Sequence, residues 1–189
     1  AVAREKRRST IDPLDAKVEV LVKEGRYDKA VETLSKHLRT QPGSVRHHEK
    51  LSRLLIAMND RDQALTHAQP YMEAVHKLGD DARLYFLYND YEKLDPKFLP
   101  EAPAICVSLA HQLYRRGKFN QTCHLIANLH KRAPSFTDIP DAYLLMARAL
   151  FDGLKDQHKA AQYLKFIKAK YPDFKEMSQV DTLLAECGA

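Results

Sequence analysis

Apolar positions along this chain recur every three or four residues almost from end to end. Leu14, Val18, Leu21 and Val22 make one such stripe, and Ala30, Val31, Leu34 and Leu38 make the next, the spacing that gathers side chains on one face of an α-helix. No segment shows a strong alternation of apolar and polar residues, the period of two that a half-buried strand requires. The first helix has a marked start: Asp12 supplies a side-chain acceptor, Pro13 needs no N–H partner, and Asp15 stands in the first turn, where the helix end is positive. Gly25 breaks that helix and Pro42-Gly43 ends its successor, so the unit is a helical hairpin of about 34 residues.

The hairpin pattern returns. Ala64 follows Ala30, and Leu55 follows Leu21, at one 34-residue period. Gly117, Phe119, Thr122, Ile126 and Pro134 then repeat the mutual offsets of Gly25, Tyr27, Ala30, Leu34 and Pro42, and Ala160, Leu164 and Pro172 begin a weaker copy about four residues late. Small residues at fixed positions let helices of neighbouring hairpins cross closely, and large ones fill the gaps. Between the second and third clear copies the pattern is least regular. Pro70 is expected to kink or end the helix that begins near Asp62. Gly79-Asp80 then punctuates, and Ala82 to Leu94 reads as one more helix carrying Tyr85, Tyr88 and Tyr91. Those rings read first as packing between hairpins and second as an exposed partner-binding patch. After Pro172, "MSQVDTLLAEC" reads as a last helix that hides the final apolar face.

The glycine, aromatic, alanine, bulky apolar and terminal proline of "EGRYDKAVETLSKHLRTQP", taken with the copies in phase after it, resemble the tetratricopeptide repeat in degenerate form. The family's first-helix Trp and Gly-Tyr are replaced by Leu14, Lys17, Val18 and Leu21 in the first copy, and by Cys106, Leu109, Ala110 and Leu113 in the third. The resemblance covers most of residues 11–172 and implies an all-α, right-handed alpha-alpha superhelix of about four hairpins plus a C-terminal capping helix. It also implies a concave groove, lined by the first helix of each hairpin, that binds a peptide or partner helix. Carried over residue by residue, that face comprises Asp12, Asp15, Glu19 and Lys23, then Arg46, Glu49, Arg53 and Ala57. It continues through Ala104, Val107, His111 and Arg115, with Tyr114 beside them, to Ala142, Leu145, Ala149 and Gly153. Such a groove runs from acidic through mixed charge to apolar, which suits a partner with a basic end and an apolar anchor. The Asn residues of the family's chaperone-tail subgroup are missing from the corresponding positions, so no such activity is expected.

Composition narrows the function classes further. With 44% apolar and 29% charged residues in 189, the chain is that of an ordinary globular protein, and no apolar run approaches the roughly 20 residues that cross a bilayer. Net charge is +5, of which Arg4, Lys6, Arg7 and Arg8 against Glu5 supply +3. The folded part is therefore near balance, and the basic segment Arg4–Arg8 suits either a solvated tail or contact with anionic headgroups. The start at Ala1 reads as a processed end or, more readily, as a cut from a longer protein, and if a membrane helix preceded it, "REKRR" would read as that helix's cytoplasmic flank. Cys106, Cys123 and Cys187 are an odd, widely spaced set, expected as reduced thiols of a cytoplasmic protein.

No phosphate loop, nucleophile elbow or Cys-x-x-C pair appears. Cys106 with His111, Cys123 with His124, and the pair His47-His48 lack the i, i+4 spacing of helical metal sites. No enzyme activity, metal or cofactor is expected. The rival readings are a helical-repeat binder of single-stranded RNA, favoured by Arg46–Lys50 and "YRRGK", and a self-associating assembly subunit. The expected organisation is a basic tail at 1–10 and one domain at 11–189. Its hairpins span 11–43, 44–78, 103–135 and 141–172, with an irregular helix at 80–95 and a cap at 175–187. The expected partner is another protein.

Overall fold

The computed structural model describes residues 12–188, and the segment Arg4–Arg8 lies outside them. Among the described residues the chain is all-α, with no strand. Contacts gather it into two compact units, one reaching to Ala74 and the other beginning at Val75.

The first unit holds α1 (Pro13–Lys23), α2 (Tyr27–Thr40), α3 (Val45–Ala57) and most of α4 (Arg61–Lys77). The Asp12 carboxylate accepts the Leu14 N–H at 2.9 Å, as the cap pattern predicts. Gly25 closes the first hairpin with φ +73°, and 34 residues later Asn59 takes the same left-handed conformation at φ +57°, so Asn stands in for Gly at the corresponding turn. Ala30, Leu34 and Ala64 are fully buried at 0% exposure, where the repeat pattern places small and bulky contacts. Pro70 does not end α4, which runs on to Lys77. Breaking the helix interior costs about 3 kcal/mol, whereas burying Tyr71 and Met72 just beyond it contributes about 1.5–3 kcal/mol each, and both are at most 2% exposed. The proline ring itself faces solvent.

The second unit begins in earnest with α5 (Asp81–Leu94), whose start is capped by Asp80 accepting from the Arg83 N–H at 3.0 Å. It is followed by α6 (Pro103–Arg115), α7 (Phe119–Ile126), α8 (Leu129–Arg132), α9 (Ile139–Arg148), α10 (Gln157–Lys170) and α11 (Met177–Glu186). α5 packs on α6, α6 on α7, α9 on α10, and α10 on α11. The last helix therefore covers the array as expected of a cap. Tyr88, Tyr91, Leu109, Leu113, Ile126, Tyr143, Leu164 and Ile167 form its core, each at most 1% exposed.

Two departures from the smooth repeat pattern shape this unit. The second helix of the third hairpin, expected to be continuous, is broken at Asn128, which adopts φ +56° between α7 and α8. Arg132 bonds the freed carbonyls of Leu125 and Ala127 at 2.6 and 3.3 Å, so the interruption leaves them satisfied. The buried Tyr143 hydroxyl accepts the His130 N–H at 3.1 Å and meets His130 Nδ1. The second departure follows α9, which widens into a π-helical turn at Ala149–Gly153. Here the Leu154 N–H reaches the Ala149 carbonyl at 3.1 Å, and Phe119 of α7 lies against Gly153.

Candidate functional site

The sequence-derived groove residues fall into two clusters, one in each unit. In the first unit, Asp15 of α1 does not stand open on a helix face: it is 1% exposed. Its carboxylate is held by α3, with Lys50 Nζ 2.6 Å from Oδ1 and Arg46 on Oδ2. Burial alone would raise the Asp15 pKa, but the Lys50 hydrogen bond and the Lys50, Arg46 and His47 charges outweigh it and hold the carboxyl below its usual value. Asp15 is thus a structural anchor between α1 and α3 rather than a solvated groove charge. Arg46, 62% exposed along its side chain, keeps one face to solvent. Glu49 and Arg53 pair across one turn of α3 at 2.5 Å. Glu19 and Lys23 are exposed on α1.

In the second unit, the first helices of the hairpins and the capping helix bring polar groups together. His111 and Arg115 lie one turn apart on α6, both exposed, and the Asp141 and Arg148 charges act on His111. Tyr114, half-buried beside them, donates to Asp152 Oδ2 at 3.0 Å, and burial followed by that carboxylate pushes its phenol pKa up. Arg148 of α9 bonds the Gln179 side chain of α11. Asp152, Arg148, Ser178, Gln179, Thr182, Leu183 and Glu186 line one cleft of about 350 Å³. Asp152, Arg148 and Gln179 were not singled out by the sequence. Their only signal is that the π-helical turn, which periodicity at 3.6 residues does not show, swings Asp152 toward α6. The apolar end of the expected groove is not open surface: Ala142 and Ala149 are 0% exposed and Leu145 is 6%.

The alternative aromatic patch divides. Tyr88 and Tyr91, at most 1% exposed, pack on Phe98 with ring centroids 6.4 and 5.4 Å away, so they belong to the core. Tyr85 is half-buried under the Arg116 guanidinium, 4.1 Å from its ring centre. The exposed aromatic on α5 is Phe86, at 65%, which the sequence reading passed over. Of the considered metal pairs, His48 is committed to the protein: Nε2 donates to the Pro42 carbonyl at 2.8 Å.

Residues 141–173, which span α9, the π-helical turn and α10, match the family model described as Tetratricopeptide repeat. No curated protein matches the chain. Among solved structures, the TPR2AB-domain:pHSP90 complex of yeast Sti1 aligns at 14% identity and a TM-score of 0.43, over 93% of this chain and 84% of that one. Pseudomonas aeruginosa pilF aligns at 15% identity and a TM-score of 0.42, over 88% and 79%. YrrB, described as a TPR protein with an unusual peptide-binding site, aligns at 11% identity and a TM-score of 0.41, over 93% and 90%. Residues 141–173 thus match the tetratricopeptide repeat, and hairpins of the same internal offsets precede them in the chain.

Proposed function

We propose that the protein is a non-catalytic interaction module that holds a peptide or partner helix on the first-helix face of its second unit. The observation that carries this reading is the convergence of Tyr114 of α6, Arg148 of α9, Asp152 of the π-helical turn and Gln179 of α11 on one polar cleft, with Arg115 exposed next to Tyr114 in the chain. The nearly buried Leu183, 8% exposed, lines the same cleft. Donors and acceptors placed on rigid helices suit a backbone in extended or helical form, and an apolar floor suits one anchoring side chain. In the first unit, Glu19, Lys23, Arg46 and the Glu49–Arg53 pair offer exposed charges of both signs, which fit register and orientation more than raw affinity.

Affinity capture tests the reading. The wild-type chain and an Arg115→Glu/Ser178→Lys variant, both changed only at exposed positions, are used side by side with and without nuclease. A protein recovered by the wild type, lost with the variant and indifferent to nuclease supports the reading. Recovery abolished by nuclease overturns it in favour of RNA. The chain is further read as a cytosol-facing part of a membrane-anchored protein, with Arg4–Arg8 against the lipid surface. Salt-sensitive binding to anionic vesicles that disappears when those four cations are replaced by Ser would support that placement.

A further inference from the structure

We propose that Asp12, Asp15 and His47 of the first unit form a binding site for a divalent first-row transition-metal ion, with Zn²⁺ as the reference ion. One ligand atom from each of the three lies within 4.8 Å of the others. His47 Nε2 is 3.6 Å from Asp12 Oδ2 and 3.4 Å from Asp15 Oδ1. Those separations are too long for hydrogen bonds, which close near 2.7–3.2 Å. They are what a metal would ask for: bonds of about 2.0–2.1 Å in a tetrahedral arrangement put neighbouring ligand atoms roughly 3.4 Å apart.

The imidazole supplies the second, independent observation. The His47 side chain is only 6% exposed, and its Nε2 is buried without a hydrogen-bond partner while aimed at the two carboxylates. An unpaired buried nitrogen carries an uncompensated desolvation cost, and a bound cation would remove it. Its other nitrogen, Nδ1, lies 2.7 Å from the Ser44 hydroxyl. With Nδ1–H donating to that oxygen, the Nε2 lone pair is left facing the carboxylates, the arrangement by which an outer hydrogen bond fixes a ligating imidazole. Asp12 is the most open of the three, 36% exposed along its side chain, and gives an ion its way in. One imidazole nitrogen and two carboxylate oxygens suit Zn²⁺ or a neighbouring ion better than soft Cu⁺.

Lys50 is the built-in competitor, since its ammonium stands 2.6 Å from Asp15 Oδ1, the oxygen nearest His47. A metal at that oxygen must displace it. The Lys50 side chain is 30% exposed and can swing toward solvent, while Arg46 stays on Oδ2. The competition gives the proposal a signature that an ordinary ion-pair cluster lacks: removing Lys50 should tighten metal binding.

Calorimetric titration of the chelator-treated full chain with Zn²⁺, and Co²⁺ absorption to report ligand geometry, test this in wild type, Lys50→Met, His47→Gln and Asp12→Asn. Asp12→Asn keeps an oxygen for the Leu14 N–H, so it should stay folded even if His47→Gln does not. The expected result is one equivalent bound by the wild type, at least tenfold tighter binding by Lys50→Met, and at least tenfold weaker binding by the other two. Absence of binding in the wild type, with or without binding in Lys50→Met, overturns the proposal. Binding indifferent to His47→Gln and Asp12→Asn also overturns it, as adventitious attachment to other histidines.

Discussion

Phe119 lies so close over Gly153 that a Cβ built on that glycine would stand 2.1 Å from the ring's Cγ and Cδ2. The aromatic that marks the third repeat and the glycine that ends the π-helical turn are therefore one packing unit. In an exposed helix Gly→Ala stabilises by about 0.5–1 kcal/mol. Here overpacking, at about 1–3 kcal/mol, is the larger effect. Gly153→Ala should lower stability by about 1–2 kcal/mol in denaturant unfolding, and a Phe119→Ala background, which removes the Cγ and Cδ2 that the new methyl meets, should abolish most of that loss.

The turns of the hairpins carry left-handed residues of unequal fitness. Gly117 adopts φ +71° without strain, whereas Lys155, at the corresponding place in the fourth hairpin, adopts φ +57° with a side chain attached. A non-glycine residue pays about 1–2 kcal/mol for that conformation. Lys155→Gly should raise the melting temperature, by an amount equivalent to roughly 1 kcal/mol. Gly117→Ala should lower it by a similar amount.

Stability should fall in acid because of the stacked histidines of the first unit. His67 Nε2 lies 3.2 Å from the His48 carbonyl and 3.3 Å from His48 Nδ1, an arrangement satisfied when both rings are neutral. Burial, followed by the His48 charge, brings the His67 pKa down to about 4 from 6.5, and burial lowers that of His48 as well. Tyr71, stacked on both rings, adds no cation. Between pH 6.5 and 4 the unfolded chain binds more protons, so stability decreases as pH falls through that window and is flat above it. For His67 the loss is on the order of 3 kcal/mol. His67→Leu should flatten the profile measured by denaturant midpoints.

The repeat register itself is testable at Ala30 and Ala64, both 0% exposed. Ala30→Leu or Ala64→Leu should cost roughly 1–3 kcal/mol by overpacking. Unchanged stability at either would remove the basis for the 34-residue period.

Much of the architecture was legible because hairpin repeats write themselves into local pattern. Gly25, Ala30, Leu34 and Pro42 fix a unit, and finding the same offsets near Gly117 fixes another. What stayed hidden depends on pairing across elements. Asp15 looked like a first-turn charge facing solvent, since nothing local shows that Arg46 and Lys50 converge on it from α3. Asp152 reaches the cleft through a π-helical turn, which leaves no periodic signal, and Gln179 stands on the capping helix, whose pattern is legible but does not show that Arg148 meets it. Of the two outcomes expected at Pro70, a kink or an end, the end does not occur: α4 runs on to Lys77 and buries Tyr71 and Met72.

The central claim is that a partner lies on the α6, α9 and α11 face of the second unit. The most direct test is photo-cross-linking with benzoylphenylalanine placed at Ser178 in the cleft, or at the exposed Phe86 of α5, in chains carrying the captured partner. The account predicts a partner adduct from position 178 and none from position 86. Adducts from position 86 alone would contradict it and move the binding surface to α5.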